Sequence, residues 1–360
     1  MIYDFIVVGG GMAGTSAGAR LSQLGSVLLL EAEPSLGYHA SGRSAALFET
    51  YYGLETTVAL NIASREYHET DQGGVLSPRG LLFVGSADQT EIFAKDVVKM
   101  HLDRITVAEA CKLIPILNPG HVAHAAYHED AWDIDTDLLL QGFARQIRAN
   151  GGIIKMGQRV DQIARDGALW RVTAGQDFEG RTLVNAAGAW ADLIAVQAGI
   201  TPLGLTPLRR SIARLPAPGG HDVSRWPMLI GAGESWYAKA DAGAWLVSPA
   251  EEDPVTEPHD AWADDMVLAE GIERYQPFVT EDVTRVTSSW AGLRTFSPDR
   301  SLVLGPDLAQ PNFIWCAGQG GYGIQTSPAA SQLIADLVAG RPPALKHATV
   351  KALSPRRFAI

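Results

Sequence analysis

Gly9-x-Gly11-x-x-Gly14 stands between an apolar run, residues 2–8 (IYDFIVV), and a stretch with Met12, Ala13, Ala17 and Leu21 at helical spacing. In that setting the first glycine allows a tight turn and the second lets backbone approach a pyrophosphate. The third lets helix pack closely on strand. The start of such a helix offers unpaired N–H groups and a positive dipole end to phosphates. Residues 27–30 read as a second strand closed by Glu31, whose carboxylate is placed to accept from a ribose diol and would repel a 2′-phosphate. The pattern predicts a dinucleotide, with NADP disfavoured. The glycine motif alone leaves FAD and NAD open.

Three further segments favour FAD. Ser41-Gly42-Arg43-Ser44-Ala45-Ala46 follows the second strand as a small-residue loop with one cation. Thr182-Leu-Val-Asn-Ala-Ala-Gly188-Ala-Trp190 reads as a strand ending in small residues, as close approach to a cofactor requires. Gly318-x-Gly320-Gly321-Tyr322-Gly323 lies between a strand at 313–317 and a helix from 325, so a helix start can stabilise the negative charge of a reduced flavin.

The elements that must hold these groups alternate along the chain. The strand–helix–strand unit over residues 2–30 predicts a parallel pair with a right-handed crossover. Thr106-Val-Ala-Glu109 is a capping box, and Asp135-Thr136 caps a helix carrying Leu140, Phe143, Ala144 and Ile147 on one face. Residues 204–250 are strand-like, with Asp241-Ala-Gly243 as a hairpin turn; a helix over 261–275 precedes strands at 283–290, 301–304 and 313–317. Strand–helix units at both ends with an antiparallel sheet between them imply two interleaved domains.

Composition narrows the function classes. The chain has 360 residues, 46% apolar and 19% charged, which suits a globular protein of about two domains. A formal charge of −11 argues against nucleic acid as a partner. No apolar run is long enough to span a membrane, and the N-terminus lacks the pattern of a secretory leader. Cys111 and Cys316 cannot build a disulfide framework or structural zinc site, so a reducing cytoplasm is the expected compartment.

Taken together, Gly37-Tyr-His-Ala-Ser-Gly-Arg-Ser-Ala-Ala46, Trp290-Ala-Gly-Leu-Arg294 with Ser297-Pro-Asp299, and Gly318-Gln-Gly-Gly-Tyr-Gly-Ile-Gln325 resemble the FAD-dependent D-amino-acid oxidase family. The similarity runs over nearly the whole chain and is greatest to the bacterial D-arginine dehydrogenases within the family. It implies an α/β fold, a Rossmann-type FAD-binding domain interleaved with an antiparallel-sheet (α+β) substrate domain. Expected boundaries are 1–76, 136–203 and 296–360 for the first, and 77–135 and 204–295 for the second. It also implies non-covalent FAD held by Gly9, Gly11, Met12, Ala13 and Gly14, by Glu31 and Ala32, and by Ser41, Arg43, Ser44, Ala45 and Ala46. Further along come Val160, then Ala187, Gly188 and Trp190, then Gly318, Gly320, Gly321, Tyr322, Gly323 and Ile324.

Oxidising an amino acid requires that its carboxylate be fixed, and a guanidinium does this through two parallel hydrogen bonds. Arg209 and Arg210 are neighbours on an expected strand and point to opposite faces, so one lines the cleft. The resemblance selects Arg210 and pairs it with Arg294. It also implies that Tyr52, Tyr237, Met228 and Ile230 line the substrate pocket, with Gly321 and Gln325 near the substrate's polar end. No side chain stands out as an obligatory general base. The chain departs from the dehydrogenase pattern where Leu81 replaces an acid, Leu47 a histidine and Glu49 a threonine. Losing the acid predicts a substrate with an uncharged, apolar side chain, while Glu49 can restore an acid from another direction.

Weaker signals read as structural. His121, His124, His128, Asp130 and Asp133 fit no standard metal-ligand spacing, so no metal is expected; Cys316 reads as a small buried thiol. Glu251-Glu252-Asp253 and Asp264-Asp265 read as solvated charge. The leading expectation is FAD-dependent oxidation of a D-amino acid, with oxygen, a quinone or a protein as electron acceptor. Oxidation of a 2-hydroxy acid or an N-methyl amino acid stays open, as does a non-catalytic flavin-binding electron carrier.

Overall fold

The computed structural model describes residues 1–358. Its first sheet has a parallel core of five strands in the order Ile153–Lys155, Val27–Leu30, Ile2–Val8, Gln176–Asn185 and Phe313–Ala317. Apolar residues alternate to both faces: Phe5, Val7, Leu29 and Val184 join one core, and Ile6, Val8, Leu28 and Leu183 another. Burial on both faces is why these strands read as unbroken apolar runs. Helices Met12–Leu21, Thr136–Ala149 and Gly323–Val338 bring Leu21, Phe143, Ile147, Leu333 and Ile334 to the first core. Trp170, Phe313 and Trp315 fill the second.

The other large sheet is mainly antiparallel and runs from Asp253–Pro254 through Thr206–Leu215, Ala244–Ser248, Tyr237–Asp241, Met228–Gly231, Leu81–Gly85 and His124–His128 to Asp103–Ile105. Ser288–Phe296 pairs along its whole length with residues 206–214 of Thr206–Leu215. One face carries Trp226, Trp236, Trp245, Tyr275 and Phe278, a tryptophan-rich core under helix Asp265–Tyr275. On the other face Leu81, Met228, Ile230 and Tyr237 meet Ala45, Leu47 and Tyr52 from the first half of the chain. A small three-stranded sheet, Leu47–Glu49, Ala131–Ile134 and Leu76–Pro78, lies beside that junction.

The expected caps form. Thr106 Oγ1 accepts from the Glu109 N–H at 3.2 Å while Glu109 reaches back to the Thr106 N–H, and Asp135 accepts from the Leu138 N–H at 2.8 Å; caps of this kind are worth about 1 kcal/mol each. Two expectations need correction. The helix expected at 261–275 begins at Asp265 because Asp264 caps it, accepting from the N–H groups of Met266 and Val267; Asp264 is therefore a cap and not free surface charge. The strand expected at 283–290 runs from Ser288 to Phe296, where its partner strand gives it a continuous ladder. Among the described residues no helix is long and apolar enough to cross a membrane.

Candidate active site

The glycine turn is built for close approach. Gly9 has φ +107°, and a Cβ there would lie 2.4 Å from the Ala186 carbonyl oxygen; one on Gly14 would lie 1.9 Å from the Gly9 carbonyl oxygen. Gly14 thus serves helix–strand contact. Gly11 caps helix Met12–Leu21 without a side-chain bond, and the Met12 N–H donates to Ser41 Oγ at 2.9 Å. Glu31 accepts from the N–H of Gly10 at 2.5 Å and of Glu33 at 2.8 Å. Its first duty is to hold the turn, and only its remaining lone pairs can meet a ribose.

A cleft follows from this turn. Its first part, about 250 Å³, is lined by Gly9, Gly11, Glu31, Ala32, Val160, Ala187, Gly188 and Trp190. The second, about 130 Å³, is lined by Met12, Ala13, Ser41, Arg43, Ser44, Ala45, Gly320, Gly321, Gly323 and Ile324, together with Arg210, Tyr237 and Arg294. Shared walls at Gly11, Ser41 and Arg43 make the two parts continuous. A long glycine-rich groove beginning at a helix N-terminus fits an extended dinucleotide such as FAD. Gly318 and Tyr322 line neither part; Gly318 takes φ +70° in the turn, and Tyr322 packs edge-on against Tyr52 and Phe296. Arg43 lines both parts of the cleft and is held by bonds within the protein. Its guanidinium donates to the carbonyls of Ala261 and Ala291 and to Asp260 at 2.5 Å, tying the loop to the second sheet.

The third cavity, about 70 Å³, opens off the second and is lined by Ala46, Leu47, Glu49, Tyr52, Leu81, Arg210, Met228, Ile230, Tyr237, Arg294 and Gly321. Strand register explains the gathering. Arg210 stands opposite Gly292 on the antiparallel partner, with Arg294 two residues further along, so both point to one face. Met228 stands opposite Leu81, and Ile230 opposite Tyr237. Arg209 turns the other way and pairs with Asp253 at 2.8 Å. A Cβ at Gly321 would lie 2.8 Å from an Arg294 terminal nitrogen, so a larger residue there would push the guanidinium aside.

Charge in this cavity is unbalanced. Arg294 meets the hydroxyl of Tyr52 and, among the described residues, no carboxylate. Arg210 is 10% exposed at its side chain, and its acid partner, Glu252, is 3.3 Å away and also held by Arg300 at 2.8 Å. Burial and then the Arg294 charge push the Arg210 guanidinium below its ordinary pKa. The Tyr237 hydroxyl is buried with no partner. Burial, then Glu234, drives the Tyr52 phenol well above its usual range, so it stays a neutral donor and gives its hydrogen to Glu234 at 3.1 Å. Together these groups await an anion with several acceptor positions.

Gln325 sits just behind this wall, its Oε1 accepting from the Glu49 N–H at 3.1 Å. Sequence reading missed Met100, Glu234 and Ala250, which also line the cavity. Glu234 lies at a turn with φ +54°, where no periodic pattern announces it. It also missed Lys239, 6% exposed, whose ammonium donates to the carbonyls of Ala45 and Ala46 and pairs with Asp133 at 2.7 Å. The acidic run at 251–253 is not solvated charge: Glu252 and Asp253 neutralise arginines, and the Glu251 carboxylate is buried, which raises its pKa. The five His and Asp residues near 121–133 take separate partners, Asp130 with Arg65 and His128 with Glu49. Cys316 is buried, and burial pushes its thiol up to about 12, so it is no thiolate at neutral pH.

Comparison with known proteins bears on the whole chain. The family model described as FAD dependent oxidoreductase (DAO) matches residues 4–337. FAD-dependent oxidoreductase domain-containing protein 1 of Bos taurus is 24% identical, over 93% of this chain and 81% of its own length. The crystal structure of glycine oxidase from Geobacillus kaustophilus superposes with TM-score 0.83 at 21% identity, covering 99% of this chain and 98% of that one. L-alpha-glycerophosphate oxidase from Mycoplasma pneumoniae, solved with FAD bound, superposes with TM-score 0.84 at 18% identity over 96% and 97%. With FAD as its cofactor and an oxidoreductase's cleft, the chain belongs to the DAO family of FAD-dependent oxidoreductases.

Proposed function

We propose that the protein oxidises the Cα–N bond of a D-amino acid with an uncharged side chain, giving an imino acid that water hydrolyses to a 2-oxo acid and ammonia. The observation that carries this reading is Arg294, a cation deep in the cleft without an acid partner, beside a second cation, Arg210. FAD, when bound, supplies a two-electron acceptor at N5 for the hydride leaving Cα.

The rest falls to side chains of this chain. Arg294 and Arg210 hold the carboxylate, and the Tyr237 hydroxyl adds a donor. Leu81, Met228, Ile230 and Leu47 enclose the side chain in an apolar wall and exclude water. Among the described residues the two acids that line the cavity, Glu49 and Glu234, lie against His128 and Lys99, and no imidazole lines it, so the substrate amine gives up its proton to water before oxidation. We assign the cofactor to residues 1–76, 136–203 and 296–360, and the substrate walls mainly to 77–135 and 204–295.

The test is anaerobic mixing of the flavin-loaded protein with separate panels of D-amino, L-amino, N-methyl and 2-hydroxy acids, following flavin absorbance. Bleaching by D-leucine or D-methionine supports the reading. Bleaching by 2-hydroxy acids alone, or by none, overturns it.

A further inference from the structure

We infer that His128 is a specificity-determining residue, seated against the Glu49 carboxylate so that the far wall of the substrate cavity accepts a neutral side chain and refuses a cation. This rests on reading that cavity as an amino-acid site.

Two acids line the cavity away from the arginine clamp. Glu234 is at the rim and is answered by Lys99 at 3.2 Å. Glu49 is deep, 2% exposed, and its backbone is locked from two sides: its N–H donates to Gln325 Oε1, and its carbonyl accepts from Asn61 Nδ2 at 3.2 Å. Glu49 Oε1 accepts from the Tyr51 N–H at 3.0 Å, and Oε2 lies 2.9 Å from His128 Nε2. The imidazole is out of line for a hydrogen bond, and it covers Oε2 by close contact. Glu49 lines the cavity and His128 does not; the imidazole approaches from the strand ladder, where His128 stands opposite Leu81.

An acid with this placement could serve as the partner of a cationic substrate group. With Oε1 bonded to the Tyr51 N–H and Oε2 covered by the imidazole, such a group must displace His128 from Oε2 while shedding its own water, whereas an aliphatic group meets only Leu81, Met228 and Ile230. The pair thereby acts as selection against one substrate class.

The experiment compares anaerobic flavin reduction by D-leucine, D-methionine, D-lysine and D-arginine in the flavin-loaded wild type, His128→Asn and Glu49→Gln. The wild type is expected to favour the neutral pair. His128→Asn, which frees the carboxylate, should raise the D-arginine to D-leucine ratio about tenfold or more. Glu49→Gln should leave the ratio within about threefold of wild type, because a carboxylate oxygen already covered by His128 contributes little to it. An unchanged ratio in His128→Asn overturns the inference. So does loss of D-arginine reduction in Glu49→Gln, and that isosteric variant decides the matter even where His128→Asn fails to retain flavin. If no amino acid bleaches the wild-type flavin, the proposed function falls and this inference with it. Bleaching with unmoved ratios removes only the role of His128.

Discussion

Arg210 and Arg294 share one face of two antiparallel strands, Arg210 opposite Gly292 and Arg294 two residues beyond it. Diagonal neighbours of this kind lie roughly 7–8 Å apart at Cα, so two long side chains reach a common point. Burial and then the neighbouring Arg294 charge lower the Arg210 guanidinium below its ordinary range.

Arg294→Met should separate stability from activity. Truncating one partner of a buried charge contact costs roughly 2–5 kcal/mol of binding, a loss of about thirty-fold to several thousand-fold in kcat/KM for an amino acid. Since Arg294 lacks an acid partner, the substrate-free variant should melt no lower than wild type. Steady-state kinetics beside a thermal melt checks both halves; a large drop in Tm with intact kcat/KM contradicts the assignment.

Acid stability should follow His68. Burial lowers its pKa to about 4 from 6.5, and its Nε2 lies 2.8 Å from the Gln325 carbonyl oxygen. Because the folded pKa is depressed, the unfolded chain takes up the proton first. The contribution is therefore present above pH 6.5 and is lost as pH falls towards 4, by about 3 kcal/mol in all. Melting temperature measured from pH 7 to pH 4 should fall steeply in wild type and less so in His68→Gln. Equal slopes would contradict the account.

Lys239→Met should loosen the cofactor loop. The ammonium is buried, which lowers its pKa, and it holds the Ala45 and Ala46 carbonyls on one side and Asp133 on the other. Removing it strands those acceptors, a loss of roughly 3–5 kcal/mol. Ala45 lines both the cofactor and substrate cavities, so KM for the amino acid should rise along with the lost stability. Denaturant unfolding and kinetics on the variant supply the two numbers, and an unchanged KM would confine Lys239 to a packing role.

The parallel core and the glycine turn were legible because both are local: an apolar run, three glycines and an acid within residues 2–31. Alternation along one strand also separated Arg209 from Arg210, and they do face apart. What the sequence hid depends on register between distant segments. Nothing near Arg43 announces the carbonyls of Ala261 and Ala291, and nothing near Glu251–Asp253 announces that arginines of another strand wait beside them. His128 and Glu49 meet because two short ladders, Leu81 with His128 and Glu49 with Ala131, stack at one edge of the cavity. Pairings of that kind have no signature in spacing.

The account stands most directly on one comparison: anaerobic flavin reduction by D-leucine against D-leucinamide, which keeps the amine, the Cα–H and the side chain but lacks the anion. Two guanidinium groups awaiting a carboxylate predict a rate constant per molar lower by about a hundredfold or more for the amide. Equal reduction by the two would show that Arg210 and Arg294 do not hold the substrate.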